Sequence, residues 1–163
     1  MNMRAARDSK VKTSHIQDIG TFLGDHFGLR ISPHQLKHYQ RPGNSSFLIN
    51  DFIEFCEDSG LSAHSINFTL SQIKGYELPL LAFDSDNNPI LVLELADVGK
   101  HVRAFAPHIA KGISLLDATK LHNDLKPIGL FLKKSAQKQI INLNGNDKPK
   151  ISFFIKNNII WTI

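Results

Sequence analysis

Hydrolysing a peptide bond with protein groups alone calls for a nucleophile, a base within reach of it, and a group that orients the base. The thiols and imidazoles of this chain are therefore the first residues to weigh. It holds one cysteine, Cys56, and eight histidines. Cys56 falls on the apolar side of a helical pattern with Phe52, Ile53 and Phe55, which is the setting of a small buried hydrophobe. A reactive thiolate needs access to solvent and nearby positive charge.

His34 and His38 are four apart, the spacing of two ligands on one side of a helix. The residues between them lack the acid of a zinc-protease motif and no third ligand stands out, so surface histidines and no metal are expected. His64, His101 and His108 have no evident carboxylate partner, and His15 near the start of a helix is expected to be solvated. Asp84 and Asp86 sit in the polar run 84–88 and are expected to be turn formers rather than an acid pair. No glycine-rich phosphate loop occurs, so neither a nucleotide nor another cofactor is expected.

The elements that must position these residues can be read from spacing. Ser14-His15-Ile16-Gln17 has the form of a capping box, and Ile16, Ile19, Leu23 and Phe27 follow at helical spacing up to Gly28. Ser32-Pro33-His34-Gln35 starts a second, short helix. Asn50 is placed to cap a third, closed by Gly60. Residues 61–66 read as extended and 69–73 as a helical turn. Two apolar runs, 78–83 and 90–95, flank the turn 84–88 and predict a hairpin in a mostly buried sheet. Residues 97–100 form a turn, 101–105 and 113–115 strands, 117–125 a small helix, and 127–132 a final strand. Helices first and then a mostly antiparallel sheet predict an α+β domain.

Composition narrows the class. Hydrophobic content of 42%, charged content of 21% and a net charge of +4 suit a soluble globular domain with a solvated, mildly basic surface. No aromatic and basic interleaving points to nucleic acid. A single cysteine rules out an internal disulfide and suits a reducing compartment. Residues 1–12 are expected to be a flexible polar arm, 13–135 the folded domain, and 136–163 a linker and apolar tail that could lead toward a membrane span.

The order helix, short helix, helix, then a Leu-Pro hairpin and further strands resembles a known family. It is similar to the bacteriocin-processing cysteine peptidase domain of bacterial ABC exporters. It resembles still more the degenerate version of that domain in haemolysin-type, type I secretion exporters. The resemblance spans residues 9–135 and is carried by Phe27-Gly28-Leu29-Arg30-Ile31, by Leu36-Lys37-His38, by the helix ending at Gly60, and by 78–83 with 90–93.

The resemblance implies a papain-like fold. The active family cuts a leader peptide after a double glycine with a Cys in an Asp-Cys-Gly motif at the start of the first helix. Placed on that pattern, this chain has His15 at the nucleophile, Ser9 at the oxyanion-hole Gln, and Pro89 at the catalytic His. Ala106, followed by Pro107, falls on the orienting Asp. Nucleophile, base and orienting acid are all absent together, so the resemblance implies an inactive domain. Phe83 falls where degenerate exporters carry a large aromatic, and core packing is expected of it.

The implied role is docking of an unfolded secreted polypeptide, of repeat-in-toxin type, on the cytoplasmic face of the bacterial inner membrane. The implied partners are the transmembrane and nucleotide-binding parts of an exporter. The alternatives are an active leader-cleaving thiol peptidase with a rearranged site and an unrelated protein-interaction module.

Overall fold

A computed structural model describes residues 10–40 and 46–136 of the chain. Helix α1, Thr13–Phe27, buries Ile16, Ile19 and Leu23 along one stripe. It begins at Thr13, so Ser14 lies within the helix and not at its cap. Helix α2, Pro33–Tyr39, starts where the sequence predicts and does so with a capping box: the Ser32 hydroxyl accepts from the His34 N–H, and the Gln35 side chain accepts from the Ser32 N–H at 2.8 Å. Helix α3, Ile49–Asp58, is entered from Leu48, and Asn50 lies inside it. Helix α4, Ala118–Asp124, is capped by Asp117, whose carboxylate accepts from the Lys120 N–H at 2.9 Å.

The expected arm, 1–12, ends in structure. Strand β1, Lys10–Lys12, pairs antiparallel with β2, Ser46–Leu48. Among the described residues the main sheet has six strands: β3 Leu61–Asn67, β4 Leu80–Phe83, β5 Pro89–Ala96, β6 His101–Phe105, β7 Ile113–Asp117 and β8 Ile128–Lys134. Their spatial order is β3-β8-β4-β5-β6-β7 and every pairing is antiparallel. The last of the described strands, β8, therefore inserts between the first and second strands of this sheet.

Each face of the sheet carries its own apolar layer. Helices α1 to α3 pack on Leu81, Phe83, Leu91 and Phe105. The opposite face packs Leu80, Ile90, Val92 and Val102 against α4 and the 3-10 turn Leu70–Gln72. All four residues of β4 are buried. A strand covered on both faces reads as a continuous apolar run without alternation, which is how 78–83 reads in the sequence. The arrangement is the α+β class the pattern predicts.

Two contacts tighten this frame. A Cβ on Gly129 of β8 would come within 2.9 Å of the Leu81 carbonyl oxygen and 3.0 Å of Phe68. The Tyr39 hydroxyl donates to Asp58 Oδ2 at 2.5 Å, tying α2 to α3. That hydrogen bond first, then desolvation and the charges of Asp58 and Glu54, push the Tyr39 phenol up to about 12.

Gly129→Ala is expected to lower stability by about 1–3 kcal/mol, as for overpacking against backbone, measured by urea unfolding. The chain has two tyrosines, so alkaline titration at the tyrosinate absorbance should show an upper step near pH 12. A phenol whose folded value is raised contributes stability that is present below its unfolded value of 10.0 and lost as pH rises through about 12. Tyr39→Phe should remove the upper step.

Candidate functional site

The β5–β6 ladder sets Leu91 opposite Phe105, so Pro89 and Ala106 lie at the same end of adjacent strands. Both are buried. Helix α1 packs over this end: Phe22 stacks on Phe105 with ring centroids 4.5 Å apart. Two turns earlier on α1, the His15 ring lies 6.1 Å from that of His108, which follows Ala106 by two residues. The start of α1, the turn before Pro89 and the turn after Ala106 thus converge. Ser9 lies outside the described residues.

This convergence holds groups whose contact the sequence did not reveal. His108 Nε2 is 3.5 Å from Asp84 Oδ2, with side chains only 20% and 6% exposed. Asp84 is the turn former the sequence predicts, and it is also the carboxylate beside His108. Its Oδ1 accepts from the N–H groups of Asp86 at 2.9 Å and Asn88 at 2.8 Å, and its Oδ2 from the Asn88 amide at 2.9 Å. Those donors solvate a buried charge that would otherwise be costly.

The end of α4 pins the same turn. Ser85 Oγ donates to Asp124 Oδ1 at 2.9 Å, the Lys126 N–H donates to the Phe83 carbonyl at 2.8 Å, and the Lys126 ammonium donates to the Asn87 side chain. Asn87 takes φ 63°, a left-handed conformation that asparagine tolerates.

His15 differs from the expected solvated ring. It is half-buried, and its Nδ1 is enclosed without a hydrogen-bond partner among the described residues. His101 also has a carboxylate neighbour, Asp97 Oδ2 at 2.7 Å, at an exposed hairpin tip. His34, His38 and His64 are exposed. No three His, Cys, Asp or Glu side chains among the described residues are placed to hold a metal ion.

The site can hold and orient an imidazole beside a carboxylate. It has no thiol. Cys56, the one cysteine of the chain, is fully buried on α3 among Phe52 and Phe55. Burial first, and then the charge of Glu57, push its thiol well above the usual range, the opposite of what a nucleophilic thiolate requires.

On the helical face of the sheet lies an open apolar cleft of about 270 Å³ between α3 and the β3–β8 pair. Ile49 and Ile53 line one side, Ser65, Asn67 and Ile128 the other, with Phe83 also in its wall. Phe83 is thus a core residue that also shapes this cleft. Among the described residues no helix is long and apolar enough to cross a membrane.

No protein-family model matches the chain, and no curated protein sequence does. Solved structures do. One is the N-terminal peptidase C39 like domain of the toxin secretion ATP-binding protein from Vibrio parahaemolyticus. It has a TM-score of 0.66 and 13% identity, over 74% of this chain and 96% of that one. A double glycine motif protease from an AMS/PCAT transporter, in complex with the leader peptide, gives 0.61 and 14%, over 83% and 89%. The peptidase domain of Streptococcus ComA, a bi-functional ABC transporter involved in a quorum sensing pathway, gives 0.58 and 12%, over 69% and 85%. The fold is that of peptidase C39-like domains of ABC transporters, an α+β, papain-like arrangement.

Asp84→Ala is expected to lower stability by about 1.5–3 kcal/mol, the scale of hydrogen bonds to a charged group. Ser85→Ala, which removes one exposed bond to Asp124, should cost about 0.5–1.5 kcal/mol. Urea unfolding of the two variants gives the comparison.

Proposed function

We propose that this domain serves an ABC exporter of the type I secretion kind as a catalytically inactive docking domain for unfolded polypeptide. The observation that carries the reading is the missing thiol. The nucleophile position of the family pattern falls on His15, and the one cysteine is buried on another helix. The base and orienting-acid positions fall on Pro89 and Ala106. The Asp84–His108 pair lies in the same region, but an imidazole and a carboxylate without a nucleophile do not make an acyl-enzyme.

A surface that keeps the scaffold without the chemistry is left with binding. The cleft walled by Ile49, Ile53 and Phe83 offers apolar pockets, and the sheet offers main-chain edges, the two components by which extended peptides are held. That a structural neighbour is in complex with a leader peptide supports a peptide as the kind of partner this fold takes. In this reading the partner is an unfolded secreted polypeptide of repeat-in-toxin type. The membrane-spanning and nucleotide-binding parts of the exporter place the domain at the cytoplasmic face of the inner membrane.

Incubation with a double-glycine leader peptide should give no cleavage, and Cys56→Ala should change nothing. Pull-down with a repeat-in-toxin polypeptide should capture its calcium-free, unfolded form and not its folded calcium form. Cysteine-dependent cleavage would mean a peptidase, and equal capture of both forms would mean an interaction module of another kind.

A further inference from the structure

The six-stranded sheet has two outer strands, and they differ in chemistry. The outer strand β3 exposes His64, Ser65 and Asn67, polar residues of the kind that discourage pairing with another chain. At the opposite end β7 exposes Ile113 and Leu115, 48% and 58% accessible. All five residues of β7 pair with β6 in unbroken register, and no described residue pairs with its outer edge. β7 holds no bulge, proline or lysine, and its one charged residue, Asp117, is engaged at its end as the cap of α4.

The register explains where the two exposed side chains point. Ile113 lies opposite Phe105 and Leu115 opposite Arg103, and cross-strand partners share a face. Phe22 of α1 stacks on Phe105. An apolar strip therefore runs from α1 across Phe105 to Ile113 and Leu115 at the edge. Arg103 on that face is engaged by Glu94 at 3.2 Å. Lys111 stands exposed just ahead of the strand.

We infer that the outer edge of β7 is a strand-addition site for an extended polypeptide segment with apolar residues at alternate positions and an acidic residue at one end, facing Lys111. Unpaired main-chain groups recognise an extended backbone. Ile113 and Leu115, two apart on one face, ask for side chains at the same period. A second copy of the chain fits less well. Five residues of strand span about 17 Å, too short a contact to approach the roughly 1,200 Å² that stable dimers bury. A briefly held, unfolded segment needs no such area.

The inference rests on the docking reading above and assigns it a surface. The test uses the full chain and a fluorescein-labelled peptide that alternates valine and threonine and ends in glutamate. Leu115→Lys should weaken binding about tenfold or more, the loss expected when one leucine contact is removed. A peptide of the same composition with its valines grouped should also bind the wild-type chain more weakly. In the wild-type chain the amides of 113–117 should gain hydrogen-exchange protection when the alternating peptide is added. That readout does not depend on the variant folding.

Capture of the calcium-free repeat-in-toxin polypeptide that survives Leu115→Lys undiminished would overturn the edge site while leaving the docking reading intact. No capture by the wild-type chain would end both. Two further results would overturn the site by naming a different occupant. One is dimerisation of the wild-type chain that Leu115→Lys abolishes. The other is full protection of 113–117 in the free monomer, which would mean that a segment of this same chain covers the edge.

Discussion

Covering the β4–β5 pair on both faces is the constraint from which the rest of the molecule follows. Leu80, Leu81, Ile90, Leu91 and Val92 are all essentially inaccessible, and each such side chain gains about 1.5–3 kcal/mol from burial. That gain requires two layers, one on each side. Helices α1 to α3 supply the first, and α4 with the turn at Leu70–Gln72 supplies the second. Once both layers are in place, the two ends of the sheet are fixed relative to the helices. The start of α1 then has to meet the turns that flank Pro89 and Ala106.

The same constraint shapes the site. Because α4 packs under the sheet, its end reaches the 84–88 turn and fixes it through Asp124 and Lys126. A fixed turn holds Asp84 with its donors already in position, so the carboxylate can sit nearly buried beside His108. The sheet end thus holds a buried polar pair, Asp84 and His108, beneath the start of α1. The one cysteine of the chain, Cys56, lies apart from it in the core of α3.

Much of the architecture was legible along the chain, because local pattern and final environment agree. The hairpin shows as two apolar runs since β4 and the start of β5 are buried on both faces. His101–Phe105 alternates because its odd positions before Phe105 face solvent. Asp117 lies just before the helix it caps. Less was legible where one residue serves two neighbours. Ser14 has the chemistry of a cap, yet the helix begins at Thr13, directly after β1. Residues 10–12 look like an arm because a strand of three residues pairing with Ser46–Leu48 leaves no periodicity to read. The Asp84–His108 contact was hidden for a different reason. Two strands separate the residues in sequence, and only the ladder brings them together.

Inserting β8 between β3 and β4 also has a consequence for biosynthesis. β3 has no partner on its inner side until β8 arrives, and β4 lacks one of its two neighbours over the same interval. A ribosome must therefore deliver nearly the whole domain before the sheet can close. Non-local pairing of that kind folds slowly and leaves apolar strands uncovered meanwhile. Helices α1 to α3, made first, are the elements that cover Leu81 and Phe83 in the finished fold.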